Sequence, residues 1–259
     1  MKNISKAKSR IHLLDEIRGL AVFCMIFYHA FYILDTSFGI NGAKELFNFF
    51  LPVQPLFAGI FIFICGISCT LSRSNLKRGL VLLGIALGMT FVTAFIMPKL
   101  GFVECEIFFG ILHFLSLSIL IYTALSKKIG KTTLFTGSFI CAVLYAFTSR
   151  IGEGVLAYGN LISFRLPEKL YETNLLVPLG IYNHDFFSAD YFPLLPDIFI
   201  FFAGVFAGKH FIAKGYPDWC YENKLPFFSF LGRNALVIYI AHMPLIFGVA
   251  YGIDLILNL

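Results

Sequence analysis

Residues 17–35 read IRGLAVFCMIFYHAFYILD, and this stretch decides which kind of fold the chain can adopt. Apart from Arg18 near its beginning, His29 in its middle and Asp35 at its end, it contains no Asp, Glu, Lys, Arg or His. A helix needs about 20 predominantly apolar residues to cross the hydrocarbon core of a bilayer, because each residue adds about 1.5 Å. The stretch therefore predicts a transmembrane helix.

Similar apolar runs recur along the whole chain. We predict seven transmembrane helices, over about 17–35, 52–72, 79–98, 105–126, 132–149, 191–209 and 229–253. The apolar parts of 150–190 are too short to cross, so an outside loop or a re-entrant segment is expected there. The predicted fold class is an all-α polytopic membrane protein that forms a single transmembrane domain over residues 1–259.

The composition excludes several other classes of protein. The chain is 58% hydrophobic and 14% charged, whereas soluble domains carry about 25% charged residues. A disordered chain and an ordinary cytosolic enzyme are therefore excluded. The first apolar run lacks a small-residue cleavage site, so we do not expect a signal peptide. The formal net charge of +5 does not indicate nucleic-acid binding, because the basic residues lie in short loops between the apolar runs.

The placement of Lys and Arg predicts the orientation. With the N-terminus in the cytosol, most of the 20 basic residues fall on the cytosolic side, as the positive-inside rule requires. The expected location is an integral, multi-pass membrane protein, in the plasma membrane if the chain is bacterial. The outer segments are acidic, and Asp190 is a candidate for binding a cationic or amine-bearing substrate.

Small residues at four-residue spacing indicate where helices pack closely. Gly84 with Gly88 forms one such pair, and Gly204 with Gly208 forms another. Without bulky side chains at these positions, two helix backbones can approach each other. We therefore predict close helix contacts at both pairs.

Four polar residues are predicted to lie at a similar depth in the membrane. Counted from the nearest basic residue on the cytosolic side, they lie between about 14 and 21 Å deep; they are His29, His113, His242 and Asp197. Ionisable groups at such depths usually face a cavity, and histidine suits proton transfer near neutral pH. The four residues therefore predict a polar chamber.

Other roles for these four residues stay open. Asp197 could orient an imidazole, or it could serve the start of its helix. Each histidine taken alone could be a packed, hydrogen-bonded residue. No metal site is expected, because the sequence contains no His-x-x-x-His or similar local pair.

A basic mouth is predicted at the cytosolic end of this chamber. Arg18, Arg233 and Asn234 are candidates to line it, because an Arg fork suits phosphates and pyrophosphate. The alternative for Arg18 is an interfacial salt bridge with Asp15, three residues earlier, combined with a role as topology signal.

Five segments of the chain resemble one family of membrane enzymes. They are LDEIRGLA at 14–21 with MIFYH at 25–29, FIFICGIS at 61–68, FGILH at 109–113, DYFPLLP at 190–196 and LGRNALVIYIAHMP at 231–244. In this order they resemble the integral-membrane acyltransferases, and most closely the catalytic-domain family of heparan-alpha-glucosaminide N-acetyltransferase in its short bacterial form.

The resemblance implies a reaction and its participants. It implies transfer of an acetyl or other acyl group from cytosolic acetyl-CoA to an acceptor, such as an amino sugar or glycan, reached from the other side. His29 would be the general base or a transient acyl carrier, while His113 and His242 would position groups or shuttle protons. Arg18 would contact the CoA phosphates, and Tyr239, in the last motif, is a candidate for binding the acceptor.

Two other classes of function stay open at this point. A proton-coupled transporter also fits ionisable residues and broken helices in the membrane, although no internal repeat relates the two halves of the chain. A structural or regulatory membrane protein leaves the layer of histidines unexplained. A homo-oligomer is compatible with the sequence in each case.

Overall fold

The structure is a computed structural model that describes residues 10–101, 105–131, 133–159 and 161–257. The helices are α1 (His12–Thr36), α2 (Ala43–Phe50), α3 (Gln54–Leu71), α4 (Asn75–Phe91), α5 (Ile111–Leu125), α6 (Leu134–Thr148), α7 (Ile198–Lys214), α8 (Pro226–Arg233) and α9 (Ala235–Leu257). Two strands, β1 (Val155–Tyr158) and β2 (Ile162–Arg165), form an antiparallel hairpin.

Within the described part of the chain, five helical segments are long and apolar enough to cross a membrane. They are His12–Thr36, Ala43–Leu71, Asn75–Leu100, Leu134–Glu153 and Ala235–Ile256. The predicted all-α polytopic fold and the integral multi-pass membrane location are therefore confirmed. The other two predicted spans correspond to α5 and α7, which are only 15 and 17 residues long, so the number of crossings stays a prediction.

The chain forms two compact units, which are described separately. The first combines Met1–Ile64 with Gly215–Leu259, and the second is Cys65–Lys214. In the first unit α1 packs along α8 and also contacts α2 and α9. In the second unit α4 packs on α5, and α6 packs on α7.

Helices α5 and α7 begin several residues later than the sequence predicts. The predicted spans start at 105 and 191, whereas the helices start at Ile111 and Ile198. Pro193 and Pro196 have no backbone N–H to donate, which disfavours a helix through this part of the chain. This explains the late start of α7, and the backbone before α5 is likewise non-helical.

These two non-helical segments satisfy part of each other's backbone hydrogen bonding. Ala189 N–H donates to Glu106 O at 2.9 Å, and Phe192 N–H donates to Phe109 O at 3.3 Å. Non-helical backbone at membrane depth is tolerated only where such partners exist. The late start of both helices is therefore compatible with their membrane setting.

The stretch 150–190 contains the β hairpin and short 3₁₀ turns, with no α-helix among its described residues. Val155 pairs with Arg165 at one end of the hairpin, and Tyr158 pairs with Ile162 at the other. This agrees with the prediction that the stretch does not cross the membrane. The side of the membrane on which it lies stays a prediction.

Two short helices, α2 and α8, are absent from the sequence prediction. The predicted last span over 229–253 is wrong at its start, because α8 ends at Arg233 and α9 begins at Ala235. Pro226 starts α8, as proline favours the first helical turn. The Asn234 side chain then donates to Phe230 O at 2.9 Å at the C-terminal end of α8.

Of the two glycine pairs predicted to mark close helix contacts, only the pair that contains Gly208 shows such a contact. A Cβ on Gly208 would lie 2.5 Å from the Thr70 hydroxyl oxygen, so α7 approaches α3 closely there. Gly66 repeats this contact from α3, since its Cβ would lie 2.0 Å from Phe201 O. The prediction is wrong for Gly84 and Gly88, which have no described atom within 4 Å of such a Cβ.

Candidate functional site

One face of α1 carries Arg18 and His29, two of the predicted site residues. Asp15, Arg18, Val22, Met25 and His29 follow each other at alternating spacings of three and four residues. Such spacing places side chains on a single helix face. Arg18 and His29 therefore lie on the same face, about 16 Å apart along the helix axis.

At the N-terminal end of this face, the buried Asp15 carboxylate pairs with two guanidinium groups. Its Oδ1 accepts from Arg18 Nη1 at 3.1 Å, and its Oδ2 accepts from Arg10 Nε. Arg18 Nη1 also lies 3.4 Å from Gly232 O. The salt bridge expected as the alternative role of Arg18 is thus present, and it leaves the side chain partly exposed.

Other contacts at the N-terminal end of α1 hold α8 against it. The buried Glu16 carboxylate accepts the Leu225 N–H at 2.9 Å, just before α8 begins. A Cβ on Gly19 would lie 1.8 Å from Phe228 O, and one on Gly232 would lie 1.8 Å from Asp15 O. The two helices can therefore approach this closely only because both positions are glycine.

Arg233 and Asn234 lie at the C-terminal end of α8, beside this contact. The Arg233 side chain is exposed, and no described residue forms a hydrogen bond or ion pair with it. Its guanidinium is therefore available to an anion. Asn234 instead uses its amide on Phe230 O.

Deeper in the first unit, two of the predicted histidines meet. His29 on α1 and His242 on α9 have ring centroids 5.0 Å apart, and His242 Nε2 lies 3.3 Å from His29 Nδ1. They are 213 positions apart in the sequence, so this contact is a product of folding. His242 is buried and His29 is half-buried.

The surrounding backbone determines how protons are placed in this pair. His29 Nδ1 lies 3.0 Å from Met25 O, and His242 Nδ1 lies 2.6 Å from Tyr239 O. A carbonyl oxygen only accepts, so each neutral ring carries its proton on Nδ1. His242 Nε2 is then unprotonated and accepts a hydrogen bond from His29 Nδ1–H. The same N–H also donates to Met25 O.

This arrangement leaves one lone pair of His29 available. Its Nε2 is unprotonated in the neutral ring, and among the described residues none donates a hydrogen bond to it. If Nε2 takes up a proton, the resulting cation already donates from Nδ1 to Met25 O and His242. The pair therefore has the geometry of a base held in one tautomer by a second group.

Aromatic rings flank the pair on both helices. The Tyr28 ring lies 5.2 Å from His29 and 5.1 Å from Phe47 of α2. The Tyr239 ring lies 5.6 Å from His242, and its carbonyl accepts the His242 Nδ1–H. Tyr239 thus contacts the pair directly.

His113 belongs to the second unit and has a different environment. It lies in the first turn of α5, where its Nδ1 accepts the Gly110 N–H at 3.2 Å. Its Nε2 lies 3.2 Å from the Thr90 hydroxyl, which donates to Ile107 O at 2.7 Å. Nε2 therefore carries the proton and donates it to Thr90, so both ring nitrogens are engaged within this unit.

The two predicted aspartates of the second unit lie at helix starts. Asp190 Oδ2 accepts the Ile111 N–H at 3.0 Å and so caps α5. Asp197 immediately precedes α7, and its carbonyl accepts the Phe201 N–H at 3.3 Å. The alternative role predicted for Asp197, at the start of its helix, matches this position.

The structure thus brings His29 and His242 into contact in one unit, while His113, Asp190 and Asp197 belong to the other. A single chamber containing all of the predicted residues stays a prediction. Among the described residues, no three His, Cys, Asp or Glu side chains could together hold a metal ion.

Sequence reasoning missed two residues that position the site. Glu16 anchors the start of α8, and Thr90 holds His113 in one tautomer. Glu16 could have been noticed as a second acidic residue beside Asp15 at the end of an apolar run. Thr90 has no such signal, because threonines are common in membrane helices and its partner is 23 residues away.

Comparison with known proteins agrees with the resemblance of the five motifs. The family model described as heparan-alpha-glucosaminide N-acetyltransferase, catalytic, matches residues 10–244, a range that includes all five motifs. No curated protein and no solved structure matches the chain significantly. Because the matched range covers most of the chain, the protein belongs to the heparan-alpha-glucosaminide N-acetyltransferase catalytic-domain family, a family of membrane acetyltransferases.

Proposed function

We propose that the protein transfers an acetyl or other acyl group from cytosolic acyl-CoA to an amine or hydroxyl acceptor that reaches the site from the other side of the membrane. His29 acts as the general base in this reaction. The donor is acetyl-CoA, and the acceptor class is an amino sugar or glycan, in keeping with the family.

One observation carries this proposal, namely the 3.3 Å contact between His242 Nε2 and His29 Nδ1. Together with the two carbonyl contacts, it favours a His29 ring whose Nε2 lone pair is available for a proton. A neutral imidazole suits this task, because its unperturbed pKa near 6.5 lies close to working pH.

In this reaction His29 carries one proton from the acceptor to the leaving CoA thiolate. The acceptor nitrogen or oxygen attacks the thioester carbonyl, and His29 Nε2 takes the acceptor proton. The carbon–sulfur bond then breaks, and the proton passes to the departing CoA sulfur as free thiol forms. His242 acts as a positioning residue, because its lone pair accepts from the His29 Nδ1–H and stabilises the imidazolium.

The basic end of α1 and α8 supports binding of the donor. Arg233 is exposed and has no protein partner among the described residues, so its guanidinium can take a CoA phosphate. Arg18 is partly exposed beside Asp15, on the same face of α1 as His29. We assign His113 a positioning role, since both of its nitrogens are engaged at the start of α5.

Binding of the donor can be measured without knowing the acceptor. Purified protein in detergent should gain thermal stability with millimolar acetyl-CoA, since a ligand at 100 times its Kd stabilises by about 2.7 kcal/mol. The gain should shrink for Arg233→Ala. An unchanged melting temperature at millimolar acetyl-CoA contradicts the proposed donor.

The catalytic assignment needs a transfer assay. In vesicles supplied with labelled acetyl-CoA and glucosamine as probe acceptor, His29→Ala should lose transfer by about 100-fold or more, the usual contribution of a general base. The control is His184→Ala, which removes an exposed loop histidine and should leave the rate unchanged. Full activity of folded His29→Ala removes His29 from the mechanism, and proton-coupled uptake without acyl transfer would favour a transporter.

A further inference from the structure

The hairpin formed by β1 and β2 has one face that carries only aliphatic and aromatic side chains. Leu156 lies opposite Phe164, and Tyr158 lies opposite Ile162. Because side chains alternate along a strand, these four share a face. The other face carries the remaining pairs, and there Ser163 lies opposite Ala157.

The protein leaves most of the apolar face uncovered. Phe164 is 59% exposed, Ile162 49% and Tyr158 42%, while Leu161 at the turn is 83% exposed. On the opposite face, Ala157 is only 7% exposed, whereas the polar residues Ser163 and Arg165 are exposed. A hairpin with one face in water normally turns polar residues outward, so this pattern indicates a non-aqueous neighbour.

The hairpin is held at the end of a membrane-spanning helix. The span Leu134–Glu153 ends two residues before β1 begins, and α6 contacts β1. Val155 N–H donates to Arg150 O at 3.2 Å, and Leu166 N–H donates to Gly154 O at 2.8 Å. The open end of the hairpin, where β1 begins and β2 ends, is therefore held close to the end of this span.

Dimensions allow the apolar face to reach lipid from this position. The headgroup region of one leaflet is about 5–7 Å thick. A strand of four residues is about 13 Å long. A hairpin of this size, fixed at the end of the span, is therefore long enough to cross the headgroup layer and reach the acyl chains.

We propose that the hairpin is a lipid-docking element. Tyr158, Leu161, Ile162 and Phe164 insert at the boundary between headgroups and acyl chains of the leaflet that α6 enters at Glu153. Tyrosine and other amphipathic or bulky apolar side chains suit this boundary. The hairpin is hydrogen-bonded to the end of the span Leu134–Glu153, so the membrane surface is its nearest non-aqueous neighbour and lipid is the proposed occupant. The proposal does not depend on the reaction that the protein catalyses.

The single tryptophan of the chain makes this directly testable. In a Trp219→Phe background, Phe164→Trp places a reporter on the apolar face, and Ser163→Trp places a matched reporter one residue away on the other face. The proteins are reconstituted in phosphatidylcholine vesicles that contain brominated acyl chains, and tryptophan emission is recorded with brominated lipid and with aqueous iodide.

We expect blue-shifted emission for Phe164→Trp, with strong quenching by bromine and weak quenching by iodide. Ser163→Trp should show the reverse. Quenching of both reporters by iodide alone overturns the proposal, because the hairpin then lies in water. Protection of Phe164→Trp from both quenchers also overturns it, since another protein copy would then cover the face. Ile162→Trp, on the same apolar face, repeats the measurement if Phe164→Trp does not give a monodisperse protein.

Discussion

His29 and His113 show how two imidazoles in one chain acquire different chemistry from their neighbours. His29 donates from Nδ1 and keeps an available Nε2 lone pair, because its contacts are a carbonyl and the acceptor nitrogen of His242. His113 accepts a backbone N–H on Nδ1 and donates to Thr90 from Nε2. Only His29 therefore has a nitrogen available to a substrate proton.

His242 should matter to the rate through the hydrogen bond that it accepts. We expect His242→Leu to lower kcat by about 10- to 100-fold, since a hydrogen bond to a charged group contributes about 1.5–3 kcal/mol. His242→Gln retains an acceptor oxygen and should recover part of the rate. Steady-state transfer assays at saturating acetyl-CoA measure this, and equal loss for both variants would contradict a hydrogen-bonding role.

His113 should matter to stability more than to chemistry. His113→Ala leaves the Gly110 N–H and the Thr90 hydroxyl without their ring partners, so we expect a loss of about 2 kcal/mol or more in unfolding free energy. His113→Gln should restore most of this, because glutamine at the same helix position can accept the same N–H. Thermal unfolding and transfer assays check both variants. A well-folded but inactive His113→Gln would instead indicate a catalytic role.

At the scale of elements, the contact between α1 and α8 places the polar side chains at the beginning of α1 against both ends of α8. Glycine on both helices allows backbone to touch backbone, and Glu16 fixes the beginning of α8. Because Arg18 reaches Gly232 O across this contact, the basic end of the site depends on the packing of the two helices.

Gly19→Ala should therefore disrupt this end of the site. Its new Cβ would lie 1.8 Å from Phe228 O, so α8 must move away, and overpacking of this kind costs about 1–3 kcal/mol or more. Gly84→Ala is the matched control, because no described atom lies within 4 Å of its Cβ and alanine favours a helix by about 1 kcal/mol. Melting temperatures in detergent compare the two, and equal effects would contradict the close contact.

At the scale of the whole molecule, orientation in the membrane decides which substrate meets which end of the site. The distribution of Lys and Arg predicts that the loop at Lys127 is cytosolic and that the hairpin at Ser163 is outside. Both positions are exposed, and α6 lies between them. They therefore report directly on the sidedness of this helix.

We predict that a membrane-impermeant maleimide labels Ser163→Cys, but not Lys127→Cys, in intact right-side-out cells or vesicles. Inverted vesicles should give the opposite pattern. The unmodified protein corrects for its own cysteines, most of which are buried. Labelling of both positions from one side would contradict the crossing by α6, and a reversed pattern would contradict the cytosolic N-terminus.

Sequence prediction succeeded where a long apolar run decides the structure and failed where a local contact decides it. The run around His29 and the run around Met89 both form helices near their predicted positions. The start of α5 differs, because the largely apolar residues 105–110 form hydrogen bonds with the non-helical segment around Ala189 and Phe192 instead of a helix. Likewise, the spacing of Gly84 and Gly88 predicts a close helix contact, but the spacing alone does not determine whether another helix packs against these two residues.

The sequence by itself determined that this chain crosses a membrane several times and to which family it belongs, because hydropathy and short ordered motifs are local properties. Only the tertiary structure decided that His29 meets His242 and that both nitrogens of His113 are engaged. It also decided that the basic end of α1 is built around α8. These outcomes depend on the distance and direction between atoms that lie far apart in the chain, and such geometry arises only when the helices pack.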